Sequence, residues 1–178
     1  MKNIVYFDLE TQKSLQQVGG YGKIHELKLS LAVTYNTLDH QYKIYLEEDA
    51  SQLISELSRA SLVVGYNLLN FDYRVLSAYS VLDLSQIPTL DMMVEVEKTL
   101  GMRLKLDSIA QATLGVGKTA EGMDALKWFQ QGRWSDIAEY CCYDVKVTRL
   151  LHEFAQKYKQ LFYLERASGQ RRAIPTAW

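Results

Sequence analysis

Asp8 and Glu10 stand two residues apart at the end of an apolar run, in Phe7-Asp8-Leu9-Glu10-Thr11. On a strand that spacing aims both carboxylates at one face, and two like charges side by side repel unless a cation lies between them. Asp72, in Asn70-Phe71-Asp72, opens a helical pattern with Asn70 as its expected N-cap, where the positive end of the helix favours the ionised carboxylate that a metal needs. Tyr140 and Asp144 are four apart in another helical pattern, stacked one turn from each other. Brought to one point, four acids and a tyrosine make a metal-dependent site for cleaving phosphodiesters. Each taken singly has a plainer role: a strand end in water, an acid on a helix dipole, a tyrosine at the core boundary beside a surface acid.

The elements that must position these groups are legible as periodicities. Ile4-Val5-Tyr6-Phe7 is continuously apolar, as in a central strand covered on both faces. Leu27, Leu29, Leu31, Val33 and Tyr35 alternate with polar or small residues, and Tyr42, Ile44 and Leu46 alternate after the turn Asn36-Thr37-Leu38-Asp39, which predicts an antiparallel hairpin. A helical pattern over 51–60 and the short strand Leu62-Val63-Val64-Gly65 complete a right-handed crossover. Further helices are expected near 70–80, 92–100, 105–114, 122–131 and 136–160, with an extended stretch around Ile87-Pro88-Thr89-Leu90. The fold class is α/β: a mixed central sheet, antiparallel over three strands and then parallel, flanked by helices. The segment from Thr11 to Glu26 is too long for a plain connection and is expected to be either a functional flap or a mobile loop.

The 178 residues are enough for one domain and hold 48% apolar and 23% charged residues, a composition that buries a core and excludes disorder. We read residues 1–165 as that domain and 166–178 as a basic tail with Arg171, Arg172 and Trp178. Lys and Arg total 20 against 21 Asp and Glu, so any grip on nucleic acid must be local rather than a broad basic surface. The start of the chain does not read as a signal peptide, and no run of about 18 apolar residues spans a bilayer; the expected compartment is the cytoplasm. Cys141 and Cys142 are adjacent, too close for the usual disulfide and without the partners of a zinc site, so they are expected to be free buried thiols.

In order and spacing, Phe7-Asp8-Leu9-Glu10-Thr11, Gly65-Tyr66-Asn67-Leu68-Leu69-Asn70-Phe71-Asp72 and Tyr140-x-x-x-Asp144 resemble the three motifs of the four-acid, tyrosine-type (DEDDy) 3′-to-5′ exonucleases of the ribonuclease H-like superfamily. Leu106-Asp107-Ser108-Ile109-Ala110, with Leu114-Gly115 and Lys118, is similar to the segment before the third motif in the proofreading domains of family B DNA polymerases. Another branch of the superfamily carries histidine five before the last aspartate; here that position is Glu139. The resemblance covers residues 3 to 155 and implies a stand-alone exonuclease that hydrolyses single-stranded or frayed 3′ ends, DNA favoured, to nucleoside 5′-monophosphates. It implies two divalent cations, Mg2+ or Mn2+, at Asp8, with Glu10 and Asp144 completing one site and Asp72 acting on the other. Tyr140 would orient the attacking water, and Leu9, Thr11, Tyr66, Asn67 and Phe71 would contact the substrate. A helicase or polymerase partner and a role in DNA repair follow as expectations of the same kind.

Two further readings stand beside this one: a structure-selective endonuclease of the same fold, and a non-catalytic nucleic-acid-binding subunit of a repair complex. No residue marks how the 2′-hydroxyl is treated, so DNA and RNA both stay open. Asp91, Asp107 and Asp124 are rival acids, Asp91 with an expected role as cap of the following helix. His25, His40 and His152 are expected at the surface or core boundary, Trp128 and Trp134 in the core. Gly115-Val116-Gly117-Lys118-Thr119 lacks the opening glycine of a P-loop, since residue 112 is alanine, which leaves Lys118 a solvated lysine or a contact to substrate phosphate.

Overall fold

A computed structural model describes residues 3–117, 122–165 and 167–178 of the protein; Lys118, Thr119 and Arg166 lie outside them. Strand β1 (Ile4–Thr11) leads through the single-turn helix α1 (Leu15–Val18) and a 3-10 segment (Tyr21–Glu26) to β2 (Leu29–Asn36) and β3 (Gln41–Leu46). Helix α2 (Ala50–Arg59) returns the chain to β4 (Leu62–Gly65), and a π-turn (Leu68–Asp72) and α3 (Tyr73–Leu76) precede β5 (Thr89–Asp91) and α4 (Met92–Leu100). Helices α5 (Leu106–Leu114), α6 (Gly122–Gln130) and the long α7 (Trp134–Tyr158) follow, and β6 (Gln160–Leu164) with β7 (Arg171–Pro175) forms a separate hairpin.

The five-stranded sheet has the order β3-β2-β1-β4-β5, antiparallel from β3 to β1 and parallel from β1 to β5. This is the mixed α/β architecture that the hydrophobic pattern predicts. β1 is central because both its faces are apolar along its first half: Val5, Phe7 and Leu9 enter one core layer, with α2 and α3, while Tyr6 enters the other, with α4, α5 and α7. By the two-residue period of a strand, Asp8 and Glu10 follow Tyr6 onto the α7 side. α2 is tied to the sheet by Glu56, whose carboxylate accepts from Thr34, Asn36, Lys43 and Tyr45.

Three segments differ from their sequence reading. Residues 11–26 are neither a bare loop nor a detached flap: Ser14 and Gln17 form a capping box on α1, and Ile24 and Leu27 are fully buried in the first core layer. The stretch read as a basic tail contains β7, paired in register with β6 from Gln160↔Pro175 to Leu164↔Arg171. His152 is 1% exposed, not a boundary residue: its Nδ1 pairs with the Tyr6 hydroxyl at 2.9 Å, and its ring stacks on Trp178 with centroids 5.9 Å apart. An isolated histidine in a sequence shows nothing of the cavity that will receive it.

Burial lowers the His152 imidazole to about 4. The folded protein therefore requires the neutral ring, and the stability this provides is complete above the unfolded value near 6.5 and drains away as pH falls toward 4. The unfolding free-energy difference between wild type and His152→Gln should shrink by about 3 kcal/mol between pH 7 and pH 4, read from urea melts at each pH. A difference constant with pH would remove this role.

Candidate active site

The site forms where the parallel strands end, the usual place for ligands on such sheets. β4 accompanies β1 only from Ile4 to Tyr6, and the last residues of β1 run on beside β2 alone, with Asp8 opposite Val33, Glu10 opposite Leu31 and a bulge after Glu10. The two carboxylates sit deep, with part of each side chain reaching solvent. Leu9, between them, points the other way and is buried among the aliphatic side chains of the first core layer.

Asp72 arrives on an unusual turn. Beyond Gly65 the chain folds so tightly that a Cβ there would lie 2.5 Å from Leu68 Cγ, which only glycine avoids. Asn67 adopts φ +73°, a left-handed conformation that asparagine tolerates better than most residues. The π-turn from Leu68 to Asp72 follows, so Asn67, not Asn70, occupies the capping position and Asp72 closes the turn. Asp91, at the end of β5, holds this geometry: its carboxylate accepts from Asn67 N at 2.8 Å and Leu69 N at 3.0 Å, and from Met93 N and Val94 N at the start of α4. The expected helix cap is thus there, and it doubles as the anchor of the turn. Asp72 itself is 3% exposed, buried at the foot of the turn.

The third strand of the site comes from α7, which lies across the α7-facing side of β1. Cys141, Val145 and Thr148 are buried along one stripe that ends at the contact between His152 and Tyr6. The same stripe places Tyr140 and Asp144 beside Asp8 and Glu10, while Glu139 is exposed and turned away. The Tyr140 phenol lies within reach of the charge of Asp144, Glu10 and Asp8, and its ring, 8% exposed, meets Trp128 of α6 edge-on at 6.2 Å. Trp128 therefore packs as a core anchor, whereas Trp134 is 42% exposed. Both cysteines are free thiols, but Cys141 is more than filler: its Sγ lies 3.4 Å from both the backbone oxygen and Oδ2 of Asp8. Its position three before Asp144 on the helix was the signal that could have revealed this contact.

Among the described residues, Asp8, Glu10 and Asp144 offer carboxylate oxygens that all lie within 4.8 Å of one another. Burial first, then the charge of Asp144, holds the Asp8 carboxyl well above its usual range; burial, then Asp8, Asp144 and Asp72, does the same to Glu10. Asp72 is raised by burial and by Asp8. Each acid feels the others, so the four belong to one electrostatic unit even though Asp72 stands outside the tight triad. An all-oxygen donor set of this charge fits a hard divalent cation such as magnesium or manganese, not zinc. The Tyr140 phenol is driven up by burial and by Asp144, Glu10 and Asp8 and stays protonated.

The remaining sequence candidates are dispersed around this centre. Tyr66 donates its hydroxyl to Leu104 O at 2.7 Å, and with Asn67 it lines a cleft of about 970 Å3 that opens from Tyr140 and Asp144. Asn67 Oδ1 is buried without a hydrogen-bond partner. Phe71 packs partly buried against the first core layer, and the Thr11 hydroxyl is engaged with Lys13 O at 2.9 Å.

With this geometry in view, the comparisons with known proteins are specific. The chain matches the RNase_H superfamily over residues 5–156 and belongs to it. Among solved structures it is similar to the family B DNA polymerase from the hyperthermophilic archaeon Pyrobaculum calidifontis, with a TM-score of 0.66 and 13% identity over 88% of this chain and 25% of that one. The chain thus spans about a quarter of that polymerase, and the likeness is one of fold. No curated protein sequence matches it.

Two outcomes check this account of the site. Asp91→Ala should cost about 2–4 kcal/mol in urea unfolding, because stranded backbone donors cost roughly 1–3 kcal/mol each, with Asp91→Asn recovering part; a loss no larger than for a surface substitution would mean the turn holds itself. Manganese at about 100 times its dissociation constant should stabilise the wild type by about 2.7 kcal/mol and Asp8→Ala far less. Equal upward shifts in melting temperature would place the ion elsewhere.

Proposed function

We propose that the protein is a metal-dependent 3′-to-5′ exonuclease that shortens single-stranded or frayed nucleic acid, DNA favoured, releasing nucleoside 5′-monophosphates. The observation that carries the reading is the convergence of Asp8, Glu10 and Asp144 within 4.8 Å, with the Tyr140 phenol close enough to feel the charge of all three. Membership of the RNase_H superfamily and the likeness of fold to part of a DNA polymerase support a nuclease on that scaffold. Asp8, Glu10 and Asp144 would hold one divalent ion, and Asp8 with Asp72 a second. Bound there, magnesium or manganese supplies Lewis-acid activation of water and neutralises charge on the leaving 3′ oxygen.

The chain's own contribution is placement. Tyr140 cannot act as a base while its phenol is held protonated, so its role is to donate a hydrogen bond and fix the direction of the attacking water. Asn67, with an oxygen left unpaired beside Asp72's turn, is the polar group for the terminal nucleotide. Leu9 and Thr11 bear on substrate through the shape of the strand end rather than through exposed side chains, since both are buried. Among the described residues no helix is long and apolar enough to cross a membrane. A helicase or polymerase that exposes 3′ ends is the kind of partner this activity would serve.

The test is incubation of 5′-labelled single-stranded DNA and RNA with the protein in manganese, beside a circular single strand. We expect a descending ladder, an intact circle, at least a hundredfold loss in Asp72→Ala, and at least a tenfold loss of kcat in Tyr140→Phe with manganese binding retained. Cleavage of the circle would make the protein an endonuclease. No cleavage of any substrate would leave a binding protein.

A further inference from the structure

The cleft that leaves the carboxylates is larger than one reacting nucleotide requires and has a wall outside the family match. Its volume of about 970 Å3 stands at the upper end of the roughly 300–1,000 Å3 range of ligand pockets. One end is formed by Tyr140 and Asp144; the other is formed by β6, which lies beyond residue 156, where the superfamily match stops. Alternation along β6 sorts its side chains: Leu161 enters the core, and Tyr163, on the same side of the strand, reaches the cleft one step further out. Phe162 faces the other way, under the Arg171 guanidinium at 3.6 Å.

The wall is fixed rather than hanging. Thr113 Oγ1 of α5 accepts from Phe162 N at 2.9 Å and donates to Phe162 O at 3.2 Å, and Arg171 Nε donates to Ala112 O at 2.7 Å. Across the cleft, the Tyr66 hydroxyl ties the segment carrying Arg103 and Lys105 to the Asn67 turn, and Tyr143, one residue before Asp144, donates its hydroxyl to Gly117 O. Two acids, Asp107 and Glu165, also reach the lining, and Glu165 is paired with Arg172 at 3.1 Å. The lining therefore offers ring faces and a pair of basic side chains, held on both sides by hydrogen bonds to the scaffold.

We propose that this cleft holds the unpaired nucleotides that precede the scissile one, with the Tyr163 ring as a base-stacking face and Lys105 as a phosphate contact. Single strands are bound by this combination, because stacking on an aromatic ring needs an unpaired base and tolerates any sequence, while a nearby cation follows the backbone. Continuity with Tyr140 and Asp144 puts the strand on the same path as the reacting end. The inference rests on the nuclease reading of the site and specifies what the enzyme grips upstream of the cut, giving it a preference for longer strands.

The experiment measures binding of fluorescein-labelled oligothymidylates of three and ten residues by anisotropy, first in metal-free buffer and again with calcium, alongside mononucleotide release in manganese. Tyr163→Ala should weaken binding of the decamer about tenfold and of the trimer at most about twofold, as expected for loss of one stacked base. Tyr163→Phe, which keeps the ring, should bind like the wild type and shows that the fold is intact. Lys105→Ala should weaken the decamer and lower its salt dependence by about one phosphate contact. Wild-type affinity in Tyr163→Ala, equal losses for trimer and decamer, or no decamer binding by the wild type would each overturn the inference. Decamer binding that responds to these substitutions, in a protein that releases no mononucleotide, would sink the exonuclease reading and leave the cleft assignment standing.

Discussion

Four carboxylates gathered against one strand end repel one another, and the local structure around them is organised by that repulsion. Burial adds to it: desolvation is the first cause of the raised pKa at Asp8, Glu10 and Asp72, and the neighbouring acids come after it. A fold does not gather such charge without donors to hold it in place. Asp8 has one from the scaffold, the Cys141 thiol, whose Sγ lies 3.4 Å from its Oδ2. A carboxylate can accept several hydrogen bonds, and an all-oxygen cluster of this charge is suited to a hard divalent cation.

The same charge must be delivered by three unrelated elements, and one of them is irregular. β1 and α7 bring their acids by simple periods, two residues along a strand and four along a helix. Asp72 comes on a turn that requires glycine at 65, a left-handed residue at 67 and a five-residue π-turn. None of those features is favourable by itself. Asp91 makes the turn possible by accepting from four backbone N–H groups, two in the turn and two at the start of α4. An acid outside the cluster thus governs the position of an acid inside it, through the backbone hydrogen bonds of the turn.

This division explains what could be read in the amino-acid sequence. Apolar run, alternation and helical spacing located β1, the β2–β3 hairpin and α7 within a few residues, because each depends on which faces are buried and leaves a periodic trace. The pairings Asp8 with Glu10 and Tyr140 with Asp144 followed from those periods. The turn at Asn67 was misjudged, with Asn70 taken as its cap, because a π-turn has no periodic signature and depends on Asp91, more than twenty residues away. Long-range partners were hidden for the same reason: His152 finds Tyr6 and Trp178, Cys141 finds Asp8, and β7 finds β6. In the segment 11–26, length suggested a flap or a mobile loop, yet Ile24 buries completely and anchors it.

Tyr140 shows how a phenol can be kept in its protonated form beside acids. Burial first, and then the three carboxylates its phenol lies near, raise its pKa, since loss of its proton would put a further negative charge in a desolvated place already short of positive ones; this leaves it unsuited to abstract a proton. In the proposed reaction Asp144 would help hold the cations, and the hydroxyl would donate to the attacking water. The ring is fixed for that task, because Trp128 packs edge-on against it and burial holds it on α7. The direction of its hydrogen bond, set by the helix and the tryptophan, would then be the direction from which the water is held.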